Sequence, residues 1–511
     1  MTGSDDKPSD PSKSSAGKAK PLTGSTMGHF LWMFAGGGAE SILKIIVLLV
    51  LARLLMPAEF GLVGAALTVV AFAEVVGRIG VAPSIVQAKT LTRDHIATGM
   101  VTTLIMGVLM AGLVYGLSEP ISRLYRMPEL TPFIQVFSLL FIIKGAGLVS
   151  EALMERSMRF REIALMRLFS YIFGYAAVAI TLSILGFGPW ALILGQLVQQ
   201  TLVTGFYLFS VRKDLAFGFR WSTFTSMIEF GFGITLTQIG NYLAQNGDYF
   251  IIGRWLGPEA LGYYSRAYLL LRQGAQLVGK MGDRVLFPTL ASIQDDKPRL
   301  QRALNRALSL VAMTQIPLTA LLVVAAPEVI LVLMGPQWGP AILPFQILVS
   351  VLFFRTAYQF VGAILRAAGR VYIAAFWQWS YAAMVVAGAY VGQPYGLWGV
   401  AAGVSVATVI CHLMGLGLVH RFIGLGTGAS LRRMVRYTAL GAIMALALFG
   451  AKAGLLSFGV EGALLLFVLV AGFVATYALL FFMAPAVFGE EGEVLSEQVL
   501  KRLFKRRGQS S

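Results

Sequence analysis

The sequence predicts an all-α polytopic membrane protein of about fourteen transmembrane helices. They form two six-helix lobes that repeat one another in parallel, with two further helices at the C-terminal end. Three observations predict this: the apolar composition, a repeated helix-to-helix turn and the placement of the basic residues. Of 511 residues, 57% are hydrophobic and 13% charged, and the mean hydropathy is +0.74. A water-soluble chain could not cover so much apolar surface, so the bilayer is the solvent. The turn Leu51–Gly61 reads LARLLMPAEFG, and Ile252–Gly262 reads IGRWLGPEALG. Arg53, Leu55, Pro57 and Gly61 recur as Arg254, Leu256, Pro258 and Gly262.

Apolar stretches suited to spanning helices, each near the roughly 20 residues required, lie near residues 28–51, 60–86, 96–117, 131–153, 163–185, 190–210, 224–250, 261–287, 304–334, 341–364, 372–391, 396–419, 434–456 and 463–487. The seventh and eighth are unusually polar. The repeat runs beyond the turn. Pro132-Phe133 opens the fourth span as Pro344-Phe345 opens the tenth, and Gly188-Pro189-Trp190 enters the sixth as Gly396-Leu397-Trp398 enters the twelfth. Six spans per half is an even number, so both halves enter the membrane from the same side. That makes the repeat parallel, and in transporters such repeats enclose the substrate path.

Orientation follows from Lys and Arg. Their excess over Asp and Glu is +16. With both termini cytoplasmic, thirty basic residues fall inside, and only Arg53, Arg123, Arg126, Arg254 and Lys452 fall in outside turns. The asymmetry is the positive-inside pattern and explains the charge without nucleic acid. The expected organisation is a disordered cytoplasmic tail over 1–27, an N-lobe over 28–210, a C-lobe over 211–420, an added helix pair over 421–487 and a cytoplasmic amphipathic tail over 488–511. Residues 1–27 lack the apolar core of a signal peptide. Acids early and bases late in Glu490–Arg507 suit a surface helix.

Charges within spans are costly and face protein or water. Glu40/Lys44 and Glu74/Arg78 are spaced i,i+4 with the acid first, the favourable order for ion pairs. Lys144 and Arg355 sit in equivalent spans without an acid within a turn, which predicts a cationic cavity between the lobes. Gln238, Asn241, Gln245 and Asp248 fall in steps of 3, 4 and 3 on one helical face, and Arg266 and Arg272 follow in the next span. The amides suit sugar hydroxyls. Asp248 suits a pairing with Arg266 or a role in ion coupling.

No catalytic, metal or cofactor site is expected. Cys411 is the single cysteine, and the four histidines lack metal spacing. The run Gly274–Lys280 has the spacing of a phosphate-binding loop, but Met281 stands where the magnesium-binding Ser or Thr belongs and no strand precedes it. The 56 glycines suit close helix packing.

LARLLMPAEFGLVGAA, AEVVGRIGVAPSIVQAKTLT, ERSMRFREIAL, NYLAQNGDYFIIGRWLGPEALGYYSRAY and VLFPTLASIQDD together resemble the polysaccharide transporter family, the colanic-acid-exporter-like oligosaccharide flippases of the multidrug/oligosaccharidyl-lipid/polysaccharide exporter superfamily. The resemblance covers roughly residues 28–490. It implies two six-helix lobes, inward–outward alternation and a substrate of undecaprenyl-pyrophosphate-linked oligosaccharide. The substrate would move to the periplasmic leaflet of the bacterial inner membrane, with polymerase and chain-length machinery as partners. Rival readings are a drug/cation antiporter, which would need an acidic cavity, and a polysaccharide polymerase or glycosyltransferase, which would need a sizeable external loop.

Overall fold

The computed structural model describes residues 43–77, 80–88, 90–281, 296–424, 426, 428–483, 485, 492–493 and 496–497, and gives the backbone alone for 228–237, 273–281, 367, 371 and 429–430. Glu40, Arg78, the N-terminal tail and nearly all of the C-terminal tail lie outside the described residues. Among the described residues every regular element is helical.

The helices are α1 (43–54), α2 (Pro57–Gly77), α3 (Val81–Gln87), α4 (Arg93–Gly116), α5 (Ser118–Tyr125), α6 (Leu130–Arg156), α7 (Phe160–Ile184) and α8 (Pro189–Ser210). Then follow α9 (Trp221–Met281), α10 (Lys297–Val324), α11 (Ala326–Leu333), α12 (Ile342–Ser350), α13 (Leu352–Ala367), α14 (Val371–Gly392), α15 (Gly396–Ile423), α16 (Gly428–Ser457) and α17 (Gly462–Met483).

Nine of the described helices are long and apolar enough to cross a membrane, or ten if the bent pair Pro336–Ser350 and Leu352–Arg366 counts as one. One of the nine, Tyr372–Ile423, has 52 residues and runs through both α14 and α15. At 1.5 Å per residue that is about 80 Å of helix, more than twice a bilayer core.

Local chemistry sets the boundaries. Pro57 and Pro189 each stand in the first turn of a helix, where a missing N–H leaves no bond unmade. Thr92 caps α4, its hydroxyl accepting from the His95 N–H at 3.4 Å while the Thr92 N–H donates to His95 Nδ1 at 3.3 Å. His95 is thus a capping residue. Three predicted spans are interrupted. The second breaks before α3, whose N-terminal flank is Gly80 at φ 68°. The ninth ends at Val324, and its remainder is the separate α11. The tenth bends by 43° around Val351. Gly274–Lys280 is helical, a backbone unlike a phosphate-binding loop.

The seventh and eighth spans are the two arms of α9, parted at Gly257, where φ is 86°. That angle favours glycine, and Pro258 restarts the helix. Arg272 Nη2 donates to Gln245 Oε1 at 3.1 Å. In a straight helix these residues would lie about 40 Å apart, so the arms fold back on one another.

The repeated turns meet. A methyl group added to Gly61 would lie 1.6 Å from the Pro258 carbonyl oxygen, and one added to Gly262 would lie 1.9 Å from that of Pro57. Each turn thus presses a glycine against the other's proline, a two-fold relation between the halves. Around this crossing, the Trp338 Nε1–H and a Gln337 Nε2–H donate to the Ala52 carbonyl at 2.8 and 2.9 Å. Arg53 donates to the Val332 carbonyl. Trp338 is wholly buried, edge-on to Phe60 and Tyr263.

Close helix crossings at small residues recur within each half. Gly145 lies against the Thr103 carbonyl, Gly403 against that of Gly388, and Gly392 against that of Gly399. One hydrophobic core runs through both halves beside the turns, while α3, α4, α6, α7 and α8 share a second core at the other end of the first half. The pair α16–α17 leaves most of its surface outward. It is fastened by Lys452, which bonds Glu328 at 2.8 Å and the Val324 carbonyl at 3.0 Å, and by Tyr477, whose hydroxyl donates to the Met313 carbonyl at 2.9 Å.

The glycine crossing leaves no room for a side chain. Gly61→Ala or Gly262→Ala is expected to destabilise the folded protein by about 1–3 kcal/mol in detergent unfolding. Gly112→Ala, where the added methyl meets nothing within 4 Å, is expected to leave the midpoint unchanged or raise it.

Candidate functional site

Away from the turns, α2 and the two arms of α9 part around a cavity of ≈ 640 Å³. One wall is the amide face of the first arm: Gln238, Asn241, Gln245 and Asn246. The second arm contributes Arg266 and Arg272. The α2 wall is formed by small and apolar residues, among them Gly64, Thr68 and Ala71. The described lining contains no carboxylate.

The amides are preorganised. Gln245 Nε2 donates to Asn241 Oδ1 at 2.9 Å, and Gln245 Oε1 accepts from Arg272. Tyr242 ties this arm to α2, its hydroxyl donating to the Thr68 carbonyl at 2.6 Å. The Arg266 guanidinium stacks over Phe60 at 4.5 Å, and its Nε–H is buried without a partner among the described residues. Five predicted site residues, Gln238, Asn241, Gln245, Arg266 and Arg272, therefore line one chamber.

Three others lie elsewhere. Asp248 continues the amide face in sequence, but it is wholly buried behind the cavity wall. Its carboxylate accepts from the Tyr264 hydroxyl at 2.7 Å and from the Tyr249 N–H at 3.0 Å. The expected pairing with Arg266 is replaced by these tyrosines, because the fold-back at Gly257 places Tyr264 opposite Asp248. Arg355 does not reach the cavity either. It stacks over Tyr268 at 4.2 Å inside the second half, with Nη1 buried and unbonded among the described residues. Asp248 acts on it through space.

Lys144 is paired: its Nζ lies 2.6 Å from Glu74 Oε2. Spacing along one helix could not reveal this partner, which comes from α2. Glu74 was expected to serve Arg78, which lies outside the described residues, as does Glu40, the expected partner of Lys44. Lys44, Glu74 and Lys144 line a second cavity of ≈ 360 Å³ within the first half. Glu151, Arg167, Gln199, Gln200 and Tyr207 complete its polar wall. Arg167 pairs with Glu151, and its Nε–H donates to the Tyr207 hydroxyl at 3.0 Å. The cationic cavity expected of Lys144 and Arg355 is thus two separate interiors, and the cations of the shared chamber are Arg266 and Arg272.

Sequence reading selected Lys44, Glu74 and Lys144 but not the other polar residues of this second chamber. Its signals were Gln199-Gln200 inside an apolar stretch and an acid, Glu151, near the end of α6. A π-helical turn, Ser170–Ala176, widens α7 beside it. Gly174 there lies against the Gln199 backbone, and the Lys44 ammonium lies 5.7 Å from the Tyr171 ring.

Residues 50–343 match the family described as polysaccharide biosynthesis protein. The chain is 28% identical to the lipopolysaccharide biosynthesis protein WzxC of Escherichia coli (strain K12) over 376 residues, 72% of this chain and 75% of that one. It is 32% identical to the succinoglycan biosynthesis transport protein ExoT of Rhizobium meliloti (strain 1021) over 301 residues, 58% of this chain and 60% of that one. Among solved structures it resembles the lipid II flippase MurJ in its inward closed conformation, with a TM-score of 0.71 at 14% identity over 89% of this chain and 99% of that one. An inward-facing multidrug resistance transporter of the MATE family gives 0.61 at 16% identity over 75% and 94%. At such identities the likeness is one of fold.

The Glu74–Lys144 pair bridges α2 and α6. Glu74→Gln strands the lysine and is expected to cost about 1–3 kcal/mol of stability. Glu74→Gln with Lys144→Met removes both charges and is expected to recover part of the loss, as read by thermal unfolding of the purified variants.

Proposed function

The chain belongs to the family of polysaccharide biosynthesis proteins, and we propose that it carries a lipid-linked oligosaccharide across a membrane through the chamber between its halves. The observation that carries this reading is the composition of that chamber: an amide wall facing Arg266 and Arg272. Amides exchange hydrogen bonds with sugar hydroxyls in either sense. Guanidinium groups bind phosphate through two parallel bonds and are less strongly hydrated than ammonium. A glycan joined to its lipid by pyrophosphate offers both chemistries in one molecule. The chamber's volume falls in the range of small-ligand sites, roughly 300–1,000 Å³.

The substrate class is an undecaprenyl-pyrophosphate-linked repeat unit, moved from the cytoplasmic to the periplasmic leaflet of the bacterial inner membrane. Both termini are cytoplasmic, as the positive-inside pattern directs. The turns at Pro57 and Pro258 then close the periplasmic side. The glycine crossing would separate as the halves rock to release substrate outward. The lipid tail stays in the bilayer beside the protein, and a polysaccharide polymerase takes up the glycan. Asp248, sealed behind Tyr249 and Tyr264, is the group proposed to couple the movement to protons or cations. The antiporter reading, which needs an acidic chamber, is disfavoured by the two arginines and by a described lining without carboxylates.

Arg266→Gln with Arg272→Gln is expected to lower polymer export on the order of 100-fold, the effect of two lost charged hydrogen bonds. Protein level is expected to hold, with lipid-linked glycan accumulating on the inner leaflet. Normal export in that variant would remove the chamber from the substrate path.

A further inference from the structure

At the end of α8 the chain leaves its bundle and crosses to α9, and there it forms a third cavity, of ≈ 540 Å³. Its apolar side is made by Met166, Phe206 and Phe209, and its polar side by Arg212, Lys213 and Asp214. None of these residues lines the chamber between the halves or the one inside the first half.

The apolar side opens onto the lipid-facing surface. Phe209 is 67% exposed. Phe169 and Phe173, which share a face of α7 with Met166, are exposed and stacked on each other at 5.9 Å. Exposed phenylalanines on a spanning helix lie against acyl chains. Beyond the cavity, Phe219, Trp221 and Phe224 form an aromatic cluster, with Phe219 and Trp221 exposed. Tryptophan, here Trp221, settles at headgroup depth. The cavity therefore sits where acyl chains end and phosphates begin.

Its charges are uneven. Arg159 is bound to Glu162 and to Ser210, and Asp214 lies within its electrostatic reach, which leaves two cations against one carboxylate on the polar side. Arg212 and Lys213 make no ion pair among the described residues and are exposed. The Arg212 guanidinium lies over the Phe209 ring at 4.4 Å, a cation–π contact that holds the charge beside the apolar side of the cavity.

We propose that this cavity binds an anionic phospholipid of the surrounding bilayer, its phosphate held by Arg212 and Lys213 and one acyl chain lying along Met166, Phe206 and Phe209. A bilayer phospholipid fits better than the transported lipid because the site opens to the outer surface of the first half and no residue is shared with the chamber. Bound lipid would also fix the segment joining the halves. That segment is held to α4 at its other end, where Arg220 pairs with Asp94 and the Arg220 N–H donates to Thr98 Oγ1 at 3.1 Å.

The test is native mass spectrometry of the intact purified protein, titrated with phosphatidylglycerol, phosphatidylcholine or undecaprenyl pyrophosphate. The variants are R212Q/K213Q and, as a control for general charge on the same face, R302Q/R306Q. Two headgroup-facing cations contribute about thirtyfold in affinity. R212Q/K213Q is expected to lose one phosphatidylglycerol with that weakening, while the wild type and the control retain it and phosphatidylcholine binding is the same in all three. R212K/K213R is expected to bind as the wild type does. Equal phosphatidylglycerol binding by R212Q/K213Q and the wild type would overturn the proposal. So would an equal loss in the control, or a loss confined to undecaprenyl pyrophosphate. Loss of polymer transport is not the readout, so the outcome is independent of the function assigned to the chamber.

Discussion

The contact on which the rest of the structure depends is backbone on backbone. Gly61 lies against the Pro258 carbonyl and Gly262 against that of Pro57. Nothing larger than hydrogen fits there, so the two turns can approach until helices from different halves share one core. Packing at such a distance is how helices associate where lipid removes the hydrophobic advantage of contact. From this crossing α2 and the arms of α9 diverge, and the chamber is the space they leave. Trp338 and Gln337 reinforce it from a third side by sharing the Ala52 carbonyl. A seal made of backbone contacts and one buried tryptophan holds by fit, with few long-range charges, which suits a joint between two rigid bundles.

The second organising constraint is the treatment of charge inside the bilayer. The described cations there are compensated in two main ways. Lys144 takes a carboxylate from a neighbouring helix, and Arg167 takes Glu151 and a tyrosine hydroxyl. Arg266 and Arg355 instead lie over aromatic rings, which lowers the penalty of burial while leaving N–H groups without a partner among the described residues. Paired cations fasten helices. Stacked cations with spare donors remain able to bind an anion, and of the two only Arg266 faces the chamber.

Much of the chamber was legible in the sequence because its walls are periodic. Steps of 3, 4 and 3 bring Gln238, Asn241 and Gln245 onto one face whatever surrounds the helix, and Arg266 and Arg272 follow on the returning arm. Asp248 shows where periodicity stops being informative. It shares the stripe but lies nearer the fold-back, where the two arms close on each other and Tyr264 covers it. Lys144 shows the same limit for charge. Its partner is 70 residues away, and pairing across helices leaves no trace in local spacing.

The sequence by itself determined that this protein lives in a bilayer, that it is helical and that a single turn is written twice. These follow from composition and from period, properties each segment carries alone. The tertiary structure decided which charges meet, which polar face is left open and that the two copies of the turn touch one another. Those outcomes depend on distances between segments far apart in the chain, and such distances are set only when glycines and small residues allow particular helices to come close.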